Sequence, residues 1–321
     1  MAVQRTISAT LAFLLGLCAA AAIADARADS IVIHDARGHD VTIGNTSRIV
    51  SVGGAVTEIL YALGLQDRIV GIDTTSLYPP QALDQKPNVG YMRQLSAEGV
   101  LGLNPQLILA IEGAGPKETL DVLDSAKIPF VSLPETHSEQ GIIDKIKLIA
   151  HAMDADTRGE CLTKAVTTDL AELKKLRDSV RHPARVMFVM SFLNGRAMVA
   201  GQKTAANEII RMAGGVNAVD GFDGYKPVND EAIVAARPDV ILTMQRGREQ
   251  LDAQTVFANP AFTMTPAAAK KSFVAMDGLY LLGFGPRTAA AARDLALSLY
   301  PDLGSKAESW KPATLTVDCR K

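Results

Sequence analysis

Short apolar runs alternate with longer stretches in which apolar residues return every three or four positions. "RIVSVG" (48–53), "RIVGID" (68–73), "QLILA" (106–110) and "PFVSL" (129–133) read as strands, and the stretches between them are amphipathic. The order restarts at "ARVMFVMS" (184–191) and continues through "DVILT" (239–243) and "SFVAM" (272–276). Such alternation predicts an α/β fold in which helices cover a parallel sheet. Ahead of it, "IVIHDARGHDVTI" predicts a short hairpin.

The two halves repeat one another. "AVTEILYALGLQDRIVGID" (55–73) aligns with "AANEIIRMAGGVNAVDGFD" (205–223), matching Glu58 to Glu208, Gly64 to Gly214 and Gly71 to Gly221, each 150 residues apart. Further on, Glu98 aligns with Glu231, Pro105 with Pro238 and Ile108-Leu109 with Ile241-Leu242, 133 residues apart. The insert "TTSLYPPQALDQKPNV" in the first half accounts for most of the change in spacing. Matches in the same order predict a duplicated α/β lobe. Between the copies, Leu162, Ala165, Val166, Leu170, Leu173, Leu176 and Val180 fall at helical spacing, and about 26 residues at roughly 1.5 Å each reach near 40 Å. One long helix over 154–182 is therefore expected to join a first lobe (29–153) to a second (183–321). A rigid connector permits only small changes in the angle between lobes, and a ligand is expected in the cleft they share.

Composition narrows the partners. The chain has 321 residues, 48% hydrophobic and 21% charged, with a formal net charge of -2. Such a balance suits a globular protein and offers no bulk attraction to nucleic acid or anionic lipid. Arg5 followed by the apolar "SATLAFLLGLCAAAAIA" and by small-residue sites ending at Ala24, Ala26 or Ala28 reads as a secretory signal peptide over 1–28. Cys161 and Cys319 remain after its removal. They either bridge a long loop in an oxidising compartment or stay as two free thiols.

Catalytic signatures do not appear: the chain has no Gly-x-Ser-x-Gly elbow, no Walker loop and no His-Glu-x-x-His. "GFGPRT" (283–288) only echoes a dinucleotide glycine motif, and the five histidines form no helical pair. Tyr91 and Arg93 in "GYMRQLSAEG" are more informative. A phenol with a pKa near ~10 becomes a hard oxygen ligand for ferric iron when a cation favours its ionised form. The alternative is a packing residue at a cleft edge beside a surface charge. Ser96 and Asn229 are natural N-caps, which puts Glu98 and Glu231 in the first turns that follow. Each carboxylate either complements its helix dipole or docks onto a two-fold partner.

The motifs "DTTSLYPP", "VGYMRQLSAEGVL", "AGP", "TLDVL", "MVAGQKTAANEIIRMAGG" and "YLLGFGPRT", in this order, make the chain resemble a periplasmic substrate-binding protein of the class III, long-helix type. The resemblance runs from about residue 30 to about residue 300, and it is specific to the haem-binding branch. It implies two Rossmann-like lobes with parallel sheets joined by a single long α-helix, a monomer in the periplasm, and no enzymatic activity. It implies Tyr91 as axial ligand to haem iron, with Arg93 and Arg246 beside the phenolate or the propionates. Tyr225 is implied as a wall of the site, and Phe192 and Phe284 as apolar contacts to the porphyrin face. Glu98 and Glu231 are implied to dock onto the permease of an ABC-type haem importer. Some members carry a histidine just after the second-lobe strand serine, and it ligates a second haem; here Ser191 is followed by Phe192, so one haem is expected. A ferric siderophore or cobalamin in the same fold is the nearest alternative, and a haem-modifying enzyme is an alternative of another class.

Overall fold

The computed structural model describes residues 30–245, 251–307 and 309–321, so the candidate signal peptide with Cys18 lies outside the described residues. The hairpin at the start forms as expected: β1 (Ile31–His34) pairs antiparallel with β2 (Asp40–Ile43). Ile33 and Ile43 are its buried positions. In the turn, the Asp35 carboxylate accepts from the backbone N–H groups of Arg37, His39 and Ser132, which fastens the hairpin to the first lobe.

The first lobe contains β3 (Ile49–Val52), α1 (Gly54–Ala62) and β4 (Ile69–Ile72), then a small hairpin of β5 (Gly90–Tyr91) and β6 (Gln94–Leu95). It continues with α2 (Ala97–Leu101), β7 (Leu107–Ile111), β8 (Phe130–Leu133) and α3 (Glu139–Ala152). Its sheet has the order β4-β3-β7-β8, and every pair is parallel. β3, β7 and β8 are buried along their whole length, as strands covered on both faces must be.

A single helix, α4 (Asp156–Asp178), spans 23 residues, about 35 Å at 1.5 Å per residue. It is shorter than 154–182 at both ends. Asp154 holds a left-handed backbone with φ 52, which breaks the path from α3, and Ser179 closes the last turn. Leu162, Ala165, Val166, Leu170, Leu173 and Leu176 form its buried stripe, while Val180 lies beyond the helix.

The second lobe runs β9 (Arg185–Leu193), β10 (Arg196–Ala200), α5 (Ala205–Met212), β11 (Val216–Asn217), β12 (Tyr225–Pro227) and α6 (Asp230–Ala236). After these come β13 (Val240–Gln245), β14 (Phe273–Asp277), α7 (Gly278–Leu282) and α8 (Thr288–Leu299). Here β11-β9-β13-β14 is a parallel array with the same order as β4-β3-β7-β8, so the internal repeat reappears as topology. The second sheet adds something the repeat does not contain: the far half of β9 pairs antiparallel with β10, and β10 with β12. Gly64 and Gly214 keep the same role, each leaving α1 or α5 with positive φ, 70 and 82. Gly71 and Gly221 do not: a Cβ on Gly71 would stand 2.3 Å from Leu103, whereas Gly221 faces open space.

One buried cluster runs through both lobes, from Ile49 and Leu107 to Phe188 and Leu242, and a smaller cluster around Met187, Val189 and Phe262 belongs to the second lobe. Cys161 on α4 and Cys319 near the C-terminus form a disulfide across 158 residues, the bridged one of the two alternatives. Replacing both with alanine is expected to lower unfolding free energy by about 2–4 kcal/mol, read as a lower urea midpoint. An unchanged midpoint would show that the bridge holds nothing the core does not.

Candidate functional site

Parallel α/β sheets present loops at the carboxyl ends of their strands, and ligands collect there. The residues after β3 (Gly53, Gly54), β4 (Thr74, Thr75) and β8 (Glu135, His137) meet Met190, Lys203, Thr204, Met244 and Leu279 of the second lobe around a cleft of about 920 Å³. Tyr91, Met92 and Arg93 line its first-lobe side, and Ser191, Met198 and Tyr225 its second-lobe side.

The backbone around Tyr91 is held on several sides. Gly90 sits at φ 98, where a Cβ would come 3.2 Å from the Gln94 carbonyl, so glycine suits the hairpin. Gly90 donates to Asn88 Oδ1, Thr74 donates to the Gly90 carbonyl, and Gly115 donates to the Met92 carbonyl. Tyr91 is half-buried and Arg93 exposed. The structure thus brings Tyr91, Arg93 and Tyr225 together at one cleft. Arg246 lies outside the described residues.

Tyr225 follows Gly224, whose φ of 79 echoes Gly90, and packs edge-on to Phe188 at 6.3 Å. Burial pushes its phenol above the ordinary range, and the Ala206 amide, the Thr204 hydroxyl and Arg93 offset this only in part. A neutral phenol makes a wall and a hydrogen-bond donor, not an anionic ligand.

Phe192 and Phe284 do not line the cleft. Opposite β10, Val189 pairs with Val199 and Ser191 with Met198, which leaves Met190 as an extra residue on β9. A bulge of this kind reverses the alternation beyond it, so Phe192 falls on the side of Met187 and Val189 and packs edge-on against Phe262 at 6.1 Å. Phe284 is 1% exposed and lies behind His137, ring to ring at 5.1 Å. Methionines 92, 190, 198 and 244 furnish the apolar lining instead, a soft and adaptable surface.

Glu135, His137, Lys145 and Lys203 escaped the sequence analysis. His137 and Glu135 follow β8 directly, and a position just past a parallel strand was the available signal. His137 Nε2 lies 3.6 Å from Glu135 Oε1. Behind them Lys145 of α3, 2% exposed, donates to the Phe284 carbonyl at 3.4 Å. Burial lowers the pKa of this ammonium, against the pull of Glu135. Burial would raise the pKa of Glu135, but His137, Lys145 and Arg93 outweigh it and hold the carboxyl below its ordinary range.

Ser96 and Asn229 cap α2 and α6, accepting from Gly99 and Ala232 at 3.0 Å each. Glu98 and Glu231 stand exposed in the first turns, one on each lobe and outside the cleft.

Residues 49–279 match the family described as Periplasmic binding protein. The structure is similar to that of the periplasmic heme-binding protein BhuT in complex with two hemes, at 39% identity and TM-score 0.75, covering 80% of this chain and 98% of that one. It is also similar to the periplasmic heme-binding protein RhuT from Roseiflexus sp. RS-1 in apo form, at 38% identity and TM-score 0.76, covering 80% and 99%. Among curated relatives, the vitamin B12-binding protein of Yersinia pestis is 26% identical over 230 residues, covering 70% of this chain and 79% of that protein. The fold is the two-lobed class III periplasmic binding protein fold. No helix among the described residues is long and apolar enough to cross a membrane.

The polar floor of the cleft carries a pH dependence of its own. Because the Glu135 carboxyl titrates lower in the folded chain than in the unfolded one, its contribution is present above the ordinary carboxylate range and is lost as pH falls through and below it. Glu135→Gln is expected to cost about 1–2 kcal/mol near neutrality and progressively less toward pH 3, measured by urea unfolding of both proteins at each pH. A cost independent of pH would contradict this.

Proposed function

The chain belongs to the periplasmic binding protein family, and on that premise we propose that its cleft carries haem, gripped through the iron by Tyr91, to the permease of an ABC importer. Family and structural neighbours are substrate-binding proteins and not enzymes, so the task is capture and release without chemistry. In this reading the leader over residues 1–28 directs the chain to the periplasm and is removed.

The observation that carries the proposal is the position of Tyr91. Its ring lines the cleft on a hairpin tied to the first lobe, with Arg93 two residues on and lining the same cleft. A ferric centre and a guanidinium nearby both favour the ionised form of a phenol. Phenolate is a hard ligand and prefers ferric over ferrous iron, so reduction loosens the grip. The four cleft methionines supply apolar contact to a flat macrocycle, and Tyr225 remains a neutral wall opposite. Ser191 faces the cleft and offers no strong second iron ligand, and His137, which also lines it, is engaged by Glu135 and Phe284, so the proposal is one haem per chain. Glu98 and Glu231, exposed on equivalent helices of the two lobes, suit a permease with basic residues on both halves, where charge guides encounter and register.

A second reading keeps the architecture and changes the cargo to cobalamin or a ferric siderophore; the relative named as a vitamin B12-binding protein favours cobalamin. A haem titration separates the readings, since only haem bound by phenolate gives a shifted Soret band with phenolate charge-transfer bands, saturating at one equivalent. Loss of even an outer partner of a metal ligand costs about 10–100-fold, so Tyr91→Phe is expected to abolish those bands and weaken binding by at least that much. Unchanged bands would remove Tyr91 as the ligand. For delivery, Glu98→Ala combined with Glu231→Ala is expected to bind haem normally and to fail in haem uptake by cells. Wild-type uptake would remove the docking assignment.

A further inference from the structure

The internal repeat makes one substitution stand out at the edge of the cleft. Gly53 and Lys203 are 150 residues apart, as are Asp73 and Asp223, so both pairs occupy matching places just before α1 and α5 and after the strands that follow. In the first lobe Gly53 takes φ 109, and its N–H donates to Asp73 Oδ1 at 2.8 Å. That aspartate is 0% exposed and is closed off by Thr75 and Ser76. A Cβ on Gly53 would lie 2.8 Å from Ile111 Cγ2, so the first lobe has no room for a side chain there.

The second lobe keeps a positive φ at this position and adds a cation. Lys203 takes φ 56, a left-handed conformation that glycine adopts without steric penalty and a lysine does not. Its ammonium pairs with Asp223 at 2.8 Å, and the two side chains remain 81% and 58% exposed. Gln202 bridges to Asp223, with Gln202 donating to the Phe222 carbonyl and Gly224 to the Gln202 carbonyl. This short ladder sets Lys203 beside Asp223 and two residues from Tyr225. Gly53 and Lys203 both line the cleft. Among the described cleft residues, Arg93 and His137 are the basic groups of the first lobe and Lys203 that of the second.

We propose that Lys203 is the second-lobe anchor for a carboxylate of the cargo, a porphyrin propionate, and that Asp223 occupies the lysine until cargo arrives. The inference rests on the porphyrin reading of the cleft and adds to it a contact independent of iron. Arg93 and Lys203 then hold the acidic edge of the macrocycle from opposite lobes. An exposed ammonium–carboxylate pair is worth a modest factor, and a competing internal carboxylate reduces it further.

The test uses metal-free protoporphyrin IX, haem and the dimethyl ester of each, titrated against the wild type, Lys203→Gly, Lys203→Arg and Asp223→Asn. Lys203→Gly restores the first-lobe residue and relieves the backbone, so the fold is kept. It is expected to weaken both free acids by roughly two- to fivefold, to leave both esters unaffected, and to leave the haem absorption bands in place. Lys203→Arg is expected to retain wild-type binding, and Asp223→Asn to tighten the free acids by roughly twofold or more. Equal binding of protoporphyrin IX by wild type and Lys203→Gly, or an equal loss for acid and ester, would overturn the assignment. A lysine-dependent affinity for protoporphyrin IX in a protein whose haem shows no phenolate bands would retain the anchor and remove the iron ligand, so the two claims fail separately.

Discussion

The cleft keeps its shape because the lobes are fastened to each other at close range. Arg287, at the head of α8, donates to Glu58 of α1 at 2.9 Å, and its guanidinium stacks 3.4 Å over the Tyr78 ring. Glu58 is 5% exposed, so loss of the arginine side chain would leave a buried carboxylate without its counter-charge, held only by the backbone N–H of residue 287. Beside this clasp Leu279 presses on Gly54, where a Cβ would come within 2.4 Å of Leu279 Cδ1. Glycine at that position lets the lobes approach. Together with α4 and the buried cluster that crosses between the lobes, these contacts make the gap a fixed feature of the fold. A side chain on its rim, such as Tyr91, therefore faces a defined space.

Much of this architecture is legible in the chain. The apolar runs at 48–53, 68–73, 106–110 and 129–133 became β3, β4, β7 and β8, because strands covered on both faces announce themselves by unbroken hydrophobicity. Caps at Ser96 and Asn229 were readable from residue type, since their side-chain oxygens satisfy amides the helix leaves open. The stripe on α4 was readable from spacing, while its ends depended on a left-handed Asp154 that no periodicity reveals. The antiparallel flank of the second sheet was hidden for a similar reason: a single extra residue at Met190 changes which side chains face the core. This is also why Phe192, an obvious aromatic candidate beside the cleft, packs into the lobe instead. His137, Glu135 and Lys145 come together from a loop and a helix, and only tertiary structure shows that they meet.

Duplication explains both the economy of the fold and its asymmetry. Two arrays with one strand order place equivalent loops on either side of the gap, yet equivalent residues have diverged in task. Glu58 clasps the other lobe, whereas its counterpart Glu208 pairs with Arg211 on its own helix. Tyr91 and Tyr225 both follow a glycine of positive φ, but burial keeps Tyr225 neutral. Gly53 leaves bare backbone at the rim where Lys203 sets a charge. A symmetric scaffold thus presents an unsymmetric cleft, which suits the proposed cargo, a macrocycle with one acidic edge and one metal centre.

The central claim is that a phenolate from the first lobe holds the iron of a porphyrin seated between the lobes. A crystal structure of the haem-loaded protein tests it most directly. The account predicts one macrocycle in the gap with its iron bonded to the Tyr91 oxygen. Iron bound by any other side chain, or a macrocycle seated outside the gap with the Tyr91 ring turned from it, would contradict the account.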